Sequence, residues 1–441
     1  MWQTIVNAFK IKDVRNKILI TIALLFVYRL GCYIPVPGVN LMVGLEEYSF
    51  LQILSAVSGG ALQYGTFFAM GIGPYINASI IIQLLTVAIP ALERLSKQGE
   101  EGRKKINAIT RAVTLVLAIV QAVGIILAFK DQTTTIDGVT IKSIEFIKIF
   151  GTEGFGLVMS YIFLVIVYTA GAAFTMWLGE RITDYGVSNG ISLLIFAGIL
   201  STAGSSIMAV IGKFGAGGDV AMNAAWTLIG FVIASILIFA AIVTVSSAER
   251  KISVQYAKQV KGRKMYGGQS THIPIKVNSS GVMPLIFAYS ILSFPDLLIS
   301  LFGGSSDNWW SKNVGTGTIP YMVLLCVLIL FFSYFYNNIQ FNPDDISKSI
   351  QGNGGFIPGI RPGKPTGDYL KKVSNRITLF GAIYLAVVAL VPSLVFKAIG
   401  GESLINVFSA TGLLIVVSVA LEFEQALQSQ IMMKNYKGFL K

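Results

Sequence analysis

Residues 69–89 read AMGIGPYINASIIIQLLTVAI, a run without a single charge. A helix crossing the hydrocarbon core of a bilayer needs about 20 mainly apolar residues. This stretch meets that length, and a soluble core helix is rarely so long and so bare of charge. Pro74 offers no backbone donor, so it either starts or kinks the helix. Asn77, Ser79 and Gln83 are the polar exceptions. An amide turned toward lipid is expensive, so these three are expected to face another helix or water.

The rest of the chain repeats the pattern. Of 441 residues 54% are hydrophobic and 13% charged, about half the charge of a soluble domain. Apolar stretches of spanning length recur at 18–34, 69–89, 110–129, 154–179, 190–212, 225–248, 281–302, 319–339, 377–396 and 404–421. The expected fold is therefore an all-α polytopic membrane protein with ten transmembrane helices. The first stretch is too long for a signal-peptide core and runs into Pro35 and Pro37. It is expected to be the first span, not a cleavable leader.

Charge orients the spans. With ten of them both termini share one side. That side collects 27 of the 34 Lys and Arg, in the N-terminus, the 90–111 loop, the 249–280 and 340–376 loops and the tail, and at Arg181. The opposite side holds six, and Arg29 lies inside the first span. The rich side is expected to be cytoplasmic. Arg29 is about a turn from an outer boundary, from which its side chain can snorkel to the interface. The net charge of +12 is thus mainly a topology signal. The two long basic loops carry more charge than orientation requires, which suits anionic lipid or a cytosolic partner.

Three segments break the spanning pattern. Between the first two spans, Phe50–Val57 is apolar but too short to cross, and it ends at Ser58-Gly59-Gly60. Such a segment lies in the interface or folds back where protein or water surrounds it. In the 249–280 loop, Ile252, Val254 and Tyr256 alternate with polar residues, as do Ile273, Ile275 and Val277. That alternation predicts a β-hairpin projecting into the cytosol with a basic tip at 261–268. The 352–363 stretch is so rich in Gly and Pro that neither helix nor strand is expected there, only turns that present Arg361.

The chemistry of most enzyme classes is missing. There is one histidine, His272, and two cysteines, Cys32 and Cys326. No phosphate-binding loop, zinc-ligand spacing or Ser/His/Asp set is present in the sequence. No cofactor and no enzymatic activity are expected. Acidic residues are almost confined to the span ends, as with Asp296, Glu422 and Glu424. An ion-coupled carrier usually places Asp or Glu at midplane. A channel is therefore preferred. A polytopic small-solute carrier is the alternative, and a purely structural scaffold is a third reading.

Several long motifs, in order, resemble the SecY family of protein-conducting channels. They are Tyr33–Gly38 (YIPVPG), Ser58–Leu62 (SGGAL), Gly73–Leu85 (GPYINASIIIQLL), Trp177–Glu180 (WLGE), Gly186–Ser192 (GVSNGIS), Gln269–Asn278 (QSTHIPIKVN) and Phe356–Gly363 (FIPGIRPG). The resemblance covers essentially the whole chain. It implies two inverted five-helix halves, residues 1–212 and 213–441, around an hourglass channel. Matching positions give a pore ring of Ile72, Ile76, Ile191, Ile195, Ile286 and Ile415. Taken alone each would be ordinary core. The pairs Ile72/Ile76 and Ile191/Ile195 are spaced i, i+4, so each pair shares one helix face.

By the same resemblance, residues 51–67 form a plug, with Leu51, Leu54 and Val57 on one face and Gly59 and Gly60 as hinge. The second and seventh spans form a lateral gate to lipid, with Asn77, Ile80 and Gln83 joined by Gln121. Arg263, Lys264 and Arg361 dock SecA or the ribosome, whose contact could run through its RNA. SecE, SecG and unfolded polypeptides bearing signal sequences are the other expected partners. The cytoplasmic membrane of a bacterium is the expected location. One departure stands out: 409–415 reads SATGLLI, looser than the family's Gly-Gly-Thr-Ser run ahead of Ile415.

Overall fold

The computed structural model describes residues 2–40, 55, 58–129, 133–136, 139–142, 144, 154–212, 218–256, 259–261, 264–266, 270–278, 281–301, 309–315, 318–398 and 410–438. Leu51, Leu54 and Val57 of the expected plug and Arg263 of the expected docking tip lie outside them.

Helices dominate. In chain order they are α1 (Trp2–Lys10), α2 (Lys12–Gly31), α3 (Gly73–Ala88), α4 (Pro90–Ser96), α5 (Glu100–Phe129), α6 (Phe155–Tyr185) and α7 (Gly190–Gly212). There follow α8 (Gly218–Ser247), α9 (Met283–Leu301), α10 (Trp309–Val314), α11 (Ile319–Gln340), α12 (Pro343–Gly352), α13 (Lys364–Ala398) and α14 (Ala410–Gly438). Each of the ten apolar stretches overlaps one of these helices. Among the described residues six helices are long and apolar enough to cross a membrane alone, or seven if α3 and α4 make one broken span. These two bend by 105°. Ile89 takes an extended backbone at the break, and Pro90, with no N–H, opens the new helix. Pro74 lies in the first turn of α3, so it starts that helix and does not kink it.

Among the described residues, strands occur outside the apolar stretches. Antiparallel β1 (Thr133–Ile136) and β2 (Val139–Lys142) form a hairpin that the sequence reading did not anticipate. β3 (Glu249–Tyr256) pairs antiparallel with β6 (Ser270–Lys276), Ile252 standing opposite Ile273. Between them β4 (Gln259–Lys261) pairs with β5 (Lys264–Tyr266). One expectation is corrected here. The Gly/Pro-rich 352–363 stretch contains a short strand, β7 (Gly355–Phe356), which pairs with Gln255 and Tyr256 of β3. A Cβ on Gly355 would lie 2.8 Å from the Tyr256 ring and 3.0 Å from Ile350, so the missing side chain is what lets the backbones approach. Tyr256 and Gly355 thereby tie the two long basic loops into one three-stranded sheet, β6-β3-β7. Ile252, Val254, Ile275, Ile350, Ile357 and Leu370 fill the core beneath it.

Buried apolar side chains gather in three larger clusters. One joins α5 and α6 with Val36, Val39, Leu62 and Met70 through Ala122, Ile125, Phe129, Leu164 and Tyr168. A second joins α8, α9, α11, α13 and α14 through Phe231, Leu285, Phe287, Ile329, Leu385 and Leu414, with Ile80 of α3 reaching into it. The third lies between elements from both ends of the chain: Tyr28 of α2, Phe68, Leu178 of α6, Leu194 of α7 and Val419 of α14.

Candidate functional site

All six expected ring isoleucines fall in that third cluster. Ile72, Ile195 and Ile415 are 2%, 5% and 5% exposed and belong to its buried core, while Ile76, Ile191 and Ile286 are partly buried against it. Ile76 and Ile286 also pack on the second cluster, so they bridge the two. The six come from the turn before α3, from α3, α7, α9 and α14. Local geometry explains part of the convergence. Gly179 of α6 has no side chain, and a Cβ there would sit 3.3 Å from Ile191, 3.4 Å from Leu194 and 3.5 Å from Ile72. Its bareness lets α7 and Ile72 close on α6. Gly190, at the start of α7, approaches the Gly179 carbonyl so closely that a Cβ could not fit.

Ahead of α3 the chain runs through turns held to the helices by specific contacts. Gly31 of α2 leaves no room for a Cβ, because the Phe68 ring lies directly against it. Tyr28, Phe68 and Phe174 stack in sequence at 5.8 Å between ring centres. The hydroxyl of Thr175 donates to the carbonyl of Gly71 at 2.8 Å. Gly59 and Gly60, the expected hinge, have φ of 71° and 82°, the left-handed region that glycine enters at little cost.

Arg29 is held by partners within the chain. Its Nη1 donates to the Gly59 carbonyl at 3.2 Å, and its Nη2 donates to the Tyr33 hydroxyl at 2.6 Å. The guanidinium also lies 4.5 Å from the centre of the Tyr33 ring. Sequence reasoning had no signal for this, since the acceptor is a backbone carbonyl thirty positions away.

The expected gate residues are placed unevenly. Ile80 is 6% exposed and belongs to the second cluster. Asn77 and Gln83, on the same helix, are partly exposed. Gln121 of α5 is 2% exposed, and its Oε1 has no hydrogen-bond partner. Among the described residues no hydrogen bond joins Gln121 to Asn77 or Gln83.

The model of the SecY family matches residues 66–424. The protein translocase subunit SecY of Corynebacterium glutamicum is 41% identical over 457 residues, spanning 99% of each chain. The chain belongs to the SecY family. Membership makes it a membrane-embedded channel subunit of the protein translocase and not an enzyme. Two solved structures share its fold: a protein-conducting channel, with a TM-score of 0.65, 19% identity and coverage of 94% of this chain and 92% of that one; and a study of the SecY plug domain, with a TM-score of 0.63, 18% identity and the same coverage.

Two of the expected docking residues, Lys264 and Arg361, lie among the described residues. Lys264 opens β5, directly across from Lys261. Arg361 is exposed, and its carbonyl accepts from the Thr366 hydroxyl at 2.8 Å, which fixes the turn that presents it. Ser347 on α12 donates to the Gly363 carbonyl at 2.6 Å, bracing the other side of that turn.

Proposed function

We propose that this chain conducts unfolded polypeptides across the bacterial cytoplasmic membrane and releases apolar segments sideways into lipid, driven by SecA or the ribosome. The carrying observation is the assembly of Ile72, Ile76, Ile191, Ile195, Ile286 and Ile415 into one cluster from five separate elements. Branched aliphatic side chains facing one another exclude water and so block ions by dewetting. Their contacts are non-directional, so they yield to a passing chain of any sequence.

In this reading ten helices span the membrane as two inverted five-helix halves, residues 1–212 and 213–441, with both termini in the cytosol. Residues 51–67 plug the outer side of the ring. The structural relative named for its plug domain is one in which that domain stabilises the closed channel and maintains a membrane seal. Ile80, buried in the cluster that also holds Leu285, Phe287 and Leu292 of α9, supports a gate between α3 and α9. The basic loops joined through β7 dock SecA or the ribosome, with Lys264, Arg263 and Arg361 as contacts, and SecE and SecG complete the complex. The small-solute carrier draws no support from the site, because a converging set of isoleucines offers a solute no polar anchor.

Site-directed cross-linking tests the reading. A secretory precursor stalled during import into proteoliposomes should cross-link to cysteines placed at positions 76, 191 and 286, and not to one at 329. Efficient import without cross-links at the three ring positions would show that the polypeptide takes another route.

A further inference from the structure

Arg29 stands in the last turn of α2, the helix of the first expected span, and within lipid a cation is costly unless something holds it. Two of its nitrogens are committed, one to Gly59 and one to Tyr33. What it grips is narrow. Gly59 has φ of 71°, and a Cβ there would lie 3.1 Å from Arg29 Nη1, 3.2 Å from Gly198 Cα and 3.3 Å from the Gly198 carbonyl oxygen. Gly198 is one turn along α7 from Ile195. Gly59 is thus wedged between a guanidinium and a bare stretch of helix backbone, one turn from the isoleucine cluster. The neighbouring carbonyl, Ser58, accepts from Cys32 Sγ at 3.7 Å. The Gly60 amide donates to the Ser55 carbonyl at 2.9 Å, which carries the hold back into the preceding segment.

The Arg29–Gly59 bond exists only while the 58–60 turn is seated. Once that turn leaves, the guanidinium loses an acceptor that membrane surroundings do not readily replace. A contact made in one state and absent from the other biases the equilibrium between them. Tyr33 keeps the guanidinium aimed through its hydroxyl and its ring face.

We infer that Arg29 is a positioning residue for the plug: it clamps Gly59 against α7 and sets how readily the closed channel opens. The inference rests on the channel reading and adds to it a named residue outside the ring, the plug and the gate.

The test is resting ion conductance of the purified complex in planar bilayers. Arg29→Gln should raise it by about tenfold to a hundredfold, the range for losing a hydrogen bond from a charged group. Arg29→Lys keeps the charge and one donor and should fall between wild type and Arg29→Gln. In a variant lacking residues 51–60, which should itself leak, Arg29→Gln should add nothing. An Arg29→Gln channel as tight as wild type overturns the inference. So does an equal increase with and without residues 51–60. If Arg29→Gln does not accumulate, Gly59→Ala attacks the same contact from the other side and should leak, and a tight Gly59→Ala channel overturns the inference as well. A deletion variant that stays tight with Arg29 intact would sink the channel reading itself, and the clamp with it.

Discussion

Ile195→Ala is the most direct perturbation of the isoleucine cluster. Ile195 is 5% exposed, so nearly all of its side chain is withdrawn from water in the closed state. The substitution removes three carbons, each worth about 0.8 kcal/mol of burial, or about 2.4 kcal/mol in all. If that burial keeps the waist dry, the wetted state should become about fiftyfold more populated. Ile195→Val removes one carbon and should raise it by about fourfold. Ile72, 2% exposed, should behave like Ile195. Ile76, Ile191 and Ile286 are already partly exposed, so their alanine variants should leak less. Resting conductance of the purified complex reads the series. Ile329, fully buried in the other large cluster, is the control. Ile329→Ala should lower thermal stability by about 2–5 kcal/mol and leave conductance at the wild-type level. Equal leakage from Ile195→Ala and Ile329→Ala would mean that leakage follows general destabilisation and that the ring has no special place.

Other perturbations probe the gate and the docking loops. Gln121→Leu removes a buried amide oxygen without a partner and should stabilise the protein by about 1 kcal/mol; combined with Gln83→Leu it should reduce export of precursors with weak signal sequences, and unchanged export would take both residues out of the gate. Arg361→Glu should impair SecA-driven export while the chain itself inserts normally, so wild-type export would remove Arg361 from the docking surface. Gly355→Val forces a side chain into the Tyr256 ring and Ile350. Overpacking of that kind costs about 1–3 kcal/mol, enough to part β7 from β3 and weaken SecA binding by about fivefold or more, as measured on vesicles. Undiminished binding would show that the loops dock independently.

Much of the helical layout was legible because the bilayer permits so little else. Backbone polar groups in hydrocarbon must be satisfied within the segment, so a long uncharged run becomes a helix almost regardless of its detail. The stretch at 110–129 lies within α5, and that at 154–179, apart from Gly154, lies within α6 for that reason. Outside lipid that constraint lapses. α12 begins at Asn342-Pro343 with Asp344 and Asp345 in its first turn, cues that were present but carried no apolar period. β7 was missed because Gly355 gives no propensity for a strand; its pairing depends on Tyr256, about a hundred residues earlier.

The site was legible only in pairs. Spacing put Ile72 with Ile76 and Ile191 with Ile195, since i and i+4 share a helix face. Nothing in the intervals from Ile195 to Ile286 or from Ile286 to Ile415 says that these residues meet. Their meeting depends on close approaches of backbone, at Gly179 and Gly190 between α6 and α7 and at Gly59 against Gly198. A glycine signals that a close approach is possible without naming the partner. Arg29 makes the same point from the polar side. A charge in an apolar run suggests either snorkelling or a partner, and the partner here is a carbonyl that every residue possesses. What makes Gly59 the acceptor is its left-handed backbone beside Gly198, a property of the folded chain. The apolar ring and the cation beside it therefore depend on the same feature: missing side chains that let the 58–72 turns, α6 and α7 lie nearly in backbone contact. Filling any one of those positions should disturb the closed state before it disturbs the membrane spans, because the spans are favoured by lipid and the closure by these few close contacts.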